Sequence, residues 1–197
     1  MQAIDYAKLA QRAYNDAPTV GEPDSASRMH VYQMVTATGT QTVHVFRGTD
    51  DLRSLLADGD IIVRDVPGMG NVHAGFHLAL AAILPACLAL PRPDAIAGHS
   101  LGAAMALLYA GALALLGDVV PVYAFEPPRL CADSTLADLF HGKHVPVYAT
   151  RNGRDIVTQV PPQLAHACPI TPIGHAVLPF DNIQDHAIDR VIAALGD

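Results

Sequence analysis

The run Gly98-His99-Ser100-Leu101-Gly102 lies between the short apolar stretch Ala95–Ala97 and a long Ala/Leu run starting at Leu101. That order reads as strand, tight turn, helix, and a serine on such a turn has its hydroxyl pushed out beyond the sheet. A serine hydroxyl is scarcely ionised at neutral pH, so the chemistry it implies, nucleophilic attack on an acyl carbon, requires a base. The chain order Ser, Asp/Glu, His directs attention to the histidines near the C-terminus: His166, His175 and His186. His186, in Asn182-Ile183-Gln184-Asp185-His186, is favoured because it opens a terminal helix and can hang over the strand edges. His175 reads instead as a strand residue facing solvent.

Asp155, in Arg151-Asn152-Gly153-Arg154-Asp155, follows the expected strand Val145–Thr150 and is placed to orient an imidazole. The same segment also suits an ordinary turn. Asp133, Asp181 and Asp185 are its rivals, and none follows a strand so directly. An oxyanion needs donors waiting where charge develops. One is the backbone N–H of Leu101; the other should come from an earlier strand-to-loop junction, which Phe46-Arg47-Gly48-Thr49 supplies through Thr49, although Gly48-Thr49 is equally a plain turn. His73 and His77 stand at a spacing zinc can use, but no third ligand accompanies them; the pair is expected to be structural, with no metal and no cofactor.

The elements that must position these groups are legible in outline. Tyr6, Leu9, Ala10 and Ala13 share one face of an opening helix over Ala3–Tyr14. Met29–Thr36 and Gln41–Phe46, rich in Val and Thr, read as a hairpin. A polar, Gly-rich region runs from Gly48 to Gly70, then a helix over His73–Leu90 bends near Pro85. Strands at Ala95–Ala97, Val119–Phe125 and Val145–Thr150 alternate with helices at Leu101–Leu116 and Thr135–Phe140. Pro161–Pro179 reads as irregular, and Ile183–Leu195 as a closing helix. This alternation predicts an α/β fold with a mostly parallel sheet, helices on both faces and an N-terminal antiparallel hairpin. Ser100, Thr49 and Asp155 then share the C-terminal strand edge.

A chain of 197 residues, 51% hydrophobic and 16% charged, suits one domain over 1–197 with a substantial core. The formal charge of −7, without a Lys/Arg cluster, excludes a nucleic-acid footprint and disfavours anionic membranes, leaving at most transient contact with lipid interfaces. Cys87, Cys131 and Cys168 form an odd set without metal or disulfide spacing. The N-terminus shows no basic-then-apolar leader, so the expected location is cytoplasmic, or secreted if the chain starts after processing. Leu52, Leu55 and Leu56 make an apolar stripe on one helical turn within about 50–70, which suits either a small lid or a fixed surface helix.

Together, Val45–Thr49, Val72–Phe76, Gly98–Ala104, Pro127-Pro128-Arg129, Arg154–Val157 with Pro161-Pro162, and Asp185-His186 resemble the class 3 lipases, the fungal-lipase-like branch of the α/β hydrolases. The likeness spans nearly the whole chain and is densest from about 43 to 104. It implies a Ser100, Asp155, His186 triad, Thr49 and Leu101 as oxyanion donors, and serine-dependent hydrolysis of lipid or short- to medium-chain acyl esters. The chain departs from the family pattern in having no Trp, with Leu55 where a lid tryptophan is expected, and in lacking disulfide cysteines. These departures point away from interfacial action on long-chain triglyceride. The alternatives are a phospholipase or thioesterase with the same triad, or a non-catalytic lipid-binding protein on this fold.

Overall fold

The computed structural model describes residues 1–49 and 61–196. Helix α1 (Ala3–Arg12) buries Tyr6, Leu9 and Ala10, with Ala13 just beyond its end, as its apolar spacing predicts. Strands β1 (Met29–Thr36) and β2 (Gly39–Phe46) pair antiparallel from Met29↔Phe46 to Thr36↔Gly39, so the hairpin loop is only Ala37-Thr38. Gly39 takes φ +133° at its exit, a conformation that glycine adopts without a Cβ penalty.

Four further strands complete the sheet: β5 (Ala95–His99), β6 (Val122–Phe125), β7 (Val147–Asn152) and β8 (Ile170–Ile173). The order is β1-β2-β5-β6-β7-β8, and every pair after β1·β2 is parallel. All five residues of β5 are buried, the pattern of a strand covered on both faces. Side-chain alternation divides the core accordingly. Val43, Val45, Ala95 and Ala97 face α1 and the terminal helix α6 (Ile188–Gly196). Phe46 and Ile96 face the opposite layer, which holds α2 (Ala74–Ala81), α3 (Leu84–Leu88), α4 (Leu101–Leu116) and α5 (Thr135–Lys143). Helix α4 is buried continuously from Leu101 to Ala114, which explains its lack of a polar face. Among the described residues no helix is long and apolar enough to cross a membrane.

Three sequence expectations change. The polar region before His73 contains a second hairpin, β3 (Val63–Val66) with β4 (Gly70–His73), whose Val66, Met69 and Val72 enter the core. The expected 73–90 helix is two helices, with Pro85 in the first turn of α3, where its missing N–H is harmless. The Pro-rich 161–179 region contributes β8, an edge strand that tolerates Pro172. The proposed lid residues Leu52, Leu55 and Leu56 lie outside the described residues.

Asp133 fastens β4 to α5: its carboxylate accepts the N–H of Asn71 at 2.8 Å and that of Thr135 at 2.9 Å. These backbone donors hold its carboxyl down to about 2. Its stabilising effect is therefore present above the ordinary carboxylate value of about 3.9 and lost as pH falls through the folded value. Asp133→Asn should lower the urea midpoint at neutral pH, and its deficit should shrink as pH falls from about 4 towards about 2. A deficit that stays constant over that window would contradict this linkage.

Candidate active site

Strand β5 gives way to α4 within one residue. Ser100 takes φ 60° and ψ −128°, a strained conformation for a residue with a Cβ. Its neighbours explain how the turn closes. A Cβ on Gly98 would stand 2.2 Å from the carbonyl oxygen of Gly102, and one on Gly102 would stand 2.1 Å from that of Phe46. The two glycines let helix, turn and β2 approach where no side chain fits. Ser100 N–H donates to the Phe125 carbonyl at 3.0 Å, tying the turn to β6. Ser100 is 0% exposed and its Oγ has no hydrogen-bond partner.

Asp155 and His186, 31 residues apart, meet beyond the C-terminal ends of the strands. His186 Nδ1–H donates to Asp155 Oδ2 at 2.8 Å, with the two residues 2% and 0% exposed. Asp155 Oδ1 accepts the N–H of Val157 at 2.9 Å. A carboxylate only accepts, so the proton sits on Nδ1 and the lone pair on Nε2, which is buried and unpartnered. His186 belongs to a 3₁₀ turn, Gln184–His186, rather than to the terminal α-helix, which starts at Ile188.

The imidazole is held from behind. His99 packs its ring on that of His186 with centroids 4.6 Å apart. His99 Nε2–H donates to the His186 carbonyl at 2.8 Å, which leaves Nδ1 to accept from the Tyr14 hydroxyl at 2.7 Å. Burial, reinforced by the neighbouring His186, keeps His99 neutral by pushing its basicity well below the ordinary range. The backbone around His186 is pinned by Asp185, whose carboxylate accepts from Arg154 N–H at 2.9 Å, Asn182 Nδ2 at 3.0 Å and Val177 N–H at 3.1 Å. Burial opposes ionisation of Asp185, yet these donors and Arg190 hold its carboxyl below the ordinary range.

Thr49 follows β2 into a cleft of about 330 Å³ that Tyr14, His99, His186 and the apolar Ile183, Ala187 and Ile188 also line. The approach is close: a Cβ on Gly48 would meet the Tyr14 hydroxyl at 2.1 Å and the His99 carbonyl at 2.7 Å. The N–H of Leu101 belongs to the first turn of α4, where backbone donors have no intrahelical acceptor. A larger cleft of about 600 Å³, bearing His141, His144 and His166, opens at the N-terminal end of β7, away from Ser100.

The rival residues are accounted for elsewhere. His166 Nε2–H donates to the Thr158 carbonyl at 2.8 Å, and His175 is exposed in the loop after β8. Asp181 pairs with Arg151 at 3.2 Å, Asp133 anchors α5, and Asp185 anchors the histidine turn. His73 accepts from the N–H of Phe76 at the start of α2 and stacks on that ring. One group escaped the sequence reading: Glu126, directly after β6 at φ 54° and 0% exposed. Its Oε1 accepts the N–H of Asn152 at 2.8 Å.

The family model described as lipase (class 3) matches residues 43–165, and the chain belongs to that family. It is a carboxylic-ester hydrolase of the lipase/esterase class with an α/β-hydrolase fold. Its fold is similar to a deletion mutant of the Rhizomucor miehei lipase in complex with its propeptide, at 22% identity and TM-score 0.70, covering 93% of this chain and 76% of that one. It is also similar to lipase II from Rhizopus niveus, at 23% identity and TM-score 0.64, covering 93% and 91%. The lipase from Rhizopus microsporus var. chinensis aligns at 23% identity and TM-score 0.67, covering 98% and 84%. No curated protein matches the chain.

The close approach at the serine turn is testable through Gly102→Ala, whose new methyl would press on the Phe46 carbonyl. It should lower stability by about 1–3 kcal/mol and reduce ester turnover at temperatures where the protein remains folded. Denaturant unfolding and a p-nitrophenyl ester assay measure the two effects; a variant matching wild type in both would refute the contact.

Proposed function

We propose that this chain hydrolyses carboxylic esters of short to medium acyl length through an acyl-enzyme on Ser100. The observation carrying this reading is the buried Asp155–His186 pair, which leaves Nε2 unpartnered, together with Ser100 on a strained strand-to-helix turn directly after His99, whose ring packs on that of His186. Ser100 Oγ attacks the ester carbonyl while His186 Nε2 takes the hydroxyl proton, and the carbonyl π electrons move onto oxygen. Thr49 and the N–H of Leu101 receive that oxyanion. Collapse breaks the bond to the alcohol oxygen, which leaves with the proton from Nε2. Water, giving its proton to the same nitrogen, then releases the acid and restores Ser100. Asp155 keeps the imidazole in the required tautomer throughout and stabilises the imidazolium.

The cleft walls Ile183, Ala187 and Ile188 suit an acyl chain, and the volume suits a modest one. Asp189 also lines the cleft, as a carboxylate that accepts from Gln11, and this favours a neutral alcohol portion over an anionic headgroup.

Ser100→Ala should reduce turnover of p-nitrophenyl butyrate by about three orders of magnitude or more while leaving the circular dichroism spectrum and melting temperature close to wild type. Unchanged turnover would remove Ser100 from the mechanism. In a panel of acyl lengths, butyrate and octanoate esters should be hydrolysed faster than palmitate; a preference for palmitate would overturn the acyl-length reading.

A further inference from the structure

Glu126 is a buried ionisable group that the proton relay does not use. One potential ligating atom from each of Glu126, Asp155 and His186 lies within 4.8 Å of the other two. The Nδ1–Oδ2 separation of 2.8 Å is a hydrogen-bond distance and admits no cation between those atoms. Glu126 Oε1 is satisfied by the N–H of Asn152, but Oε2 is buried without a donor. The surrounding charged and titratable groups come from three directions. From β7 and the following loop come Asp155 and Arg151; Arg151 is engaged with Asp181 at 3.2 Å. The 3₁₀ turn contributes His186 and Asp185, the latter already satisfied by backbone and amide donors. Strand β5 contributes the neutral His99.

Among the described residues, the Arg151 guanidinium favours the Glu126 anion, but it is shared with Asp181. Burial pushes the Glu126 carboxyl well above the ordinary carboxylate range, and the facing Asp155 carboxylate pushes it the same way.

We propose that Glu126 is a positioning residue of the triad, a neutral carboxylic acid whose Oε2–H is directed to the Asp155 carboxylate. By spreading the charge of Asp155, it sets how strongly that carboxylate stabilises protonated His186. An ionised Glu126 would do the opposite, adding a second negative charge that favours the imidazolium. This inference rests on the triad reading above. Glutamine is the discriminating replacement: its oxygen can accept from Asn152, and its amide can donate to Asp155 with no charge. Leucine has comparable bulk and offers no donor.

The test follows the His186 imidazole by nitrogen NMR through a pH titration of the full chain carrying Ser100→Ala, alone and combined with Glu126→Gln or Glu126→Leu. Glutamine should leave the midpoint in place, whereas leucine, by concentrating charge on Asp155, should raise it by about one unit. In the Ser100-bearing proteins, leucine should move the acid limb of kcat/KM upward and lower kcat about tenfold, and glutamine should restore most of both. A midpoint lowered by about one unit with glutamine means that Glu126 is ionised and overturns the proposal. A midpoint unmoved by leucine reduces Glu126 to packing and overturns it equally. Should the leucine variant fail to fold, the infrared carbonyl band of a buried protonated carboxylic acid decides, present in wild type and lost with glutamine if the proposal holds, absent from wild type if it fails. Absence of esterase activity in wild type would defeat the catalytic reading alone, because the His186 titration requires no turnover.

Discussion

The approach of α4 to the ends of β2 and β5 governs the rest of the site, because it makes the chain reverse within one residue, at Ser100. That reversal forces a positive φ on a residue with a side chain, at an expected cost of about 1–3 kcal/mol. The strain is held by bonds on both sides. Ser100 N–H reaches the Phe125 carbonyl of β6, and the Ser100 carbonyl accepts from Ala103 and Ala104 in the first turn of α4. The helix behind is buried along most of its length, so the turn cannot relax by letting α4 move outward. Glu126 repeats the pattern one strand along: it too follows a strand at positive φ, with its N–H on the Thr150 carbonyl. Backbone strain thus collects at adjacent strand ends, on the edge where the ionisable side chains meet.

The histidine is positioned by a different kind of constraint. Its turn is held by polar ties to the loop after β7. Across the Asp155–Asn182 bridge, Asn182 N–H donates to the Arg154 carbonyl and the Asn182 carbonyl accepts from Ile156 N–H; Asn152 Nδ2 donates to the Asp185 carbonyl at 2.8 Å, and the Asp185 carboxylate gathers three N–H donors. Gly153 makes room for this arrangement, since a Cβ there would stand 2.6 Å from Asp185 Oδ2. The serine is fixed by close packing of backbone and the histidine by a satisfied hydrogen-bond network, two mechanisms that fail under different changes.

What could be read from residues alone follows this division. The serine turn is local: its strand, glycines and helix are contiguous, so the pattern around Ser100 carried its own context. Helix α4 matched its expected limits because an unbroken Ala/Leu run leaves no competing period. The pairing of Asp155 with His186 was reachable only through chain order, since no spacing rule brings together residues on separate loops. Strands β3 and β8 escaped because each is four residues long and contains Asp or Pro, poor signals for a strand. Glu126 had no signature at all; the run before Pro127 and Pro128 reads as a strand stop. Only the register of β6 against β7, with Phe125 opposite Thr150, carries it to Asn152 and Asp155.

That register also explains how one small volume accommodates several acids. Asp185 has donors on both oxygens, with Arg190 Nε 3.7 Å away, and these favour its anion. Asp155 has one backbone donor and the imidazole, enough to make it the carboxylate that His186 addresses. Glu126 has a donor on one oxygen only, and burial there favours the neutral acid. The N–H groups aimed at Asp185 and their scarcity at Glu126 therefore push these two buried carboxyls in opposite directions. His99 completes the partition from the basic side, since a carbonyl and a tyrosine hydroxyl occupy both of its nitrogens and burial denies it a second proton. Of the two stacked imidazoles this leaves His186 with an unoccupied nitrogen, so in the proposed relay the proton lost by the serine goes to Nε2.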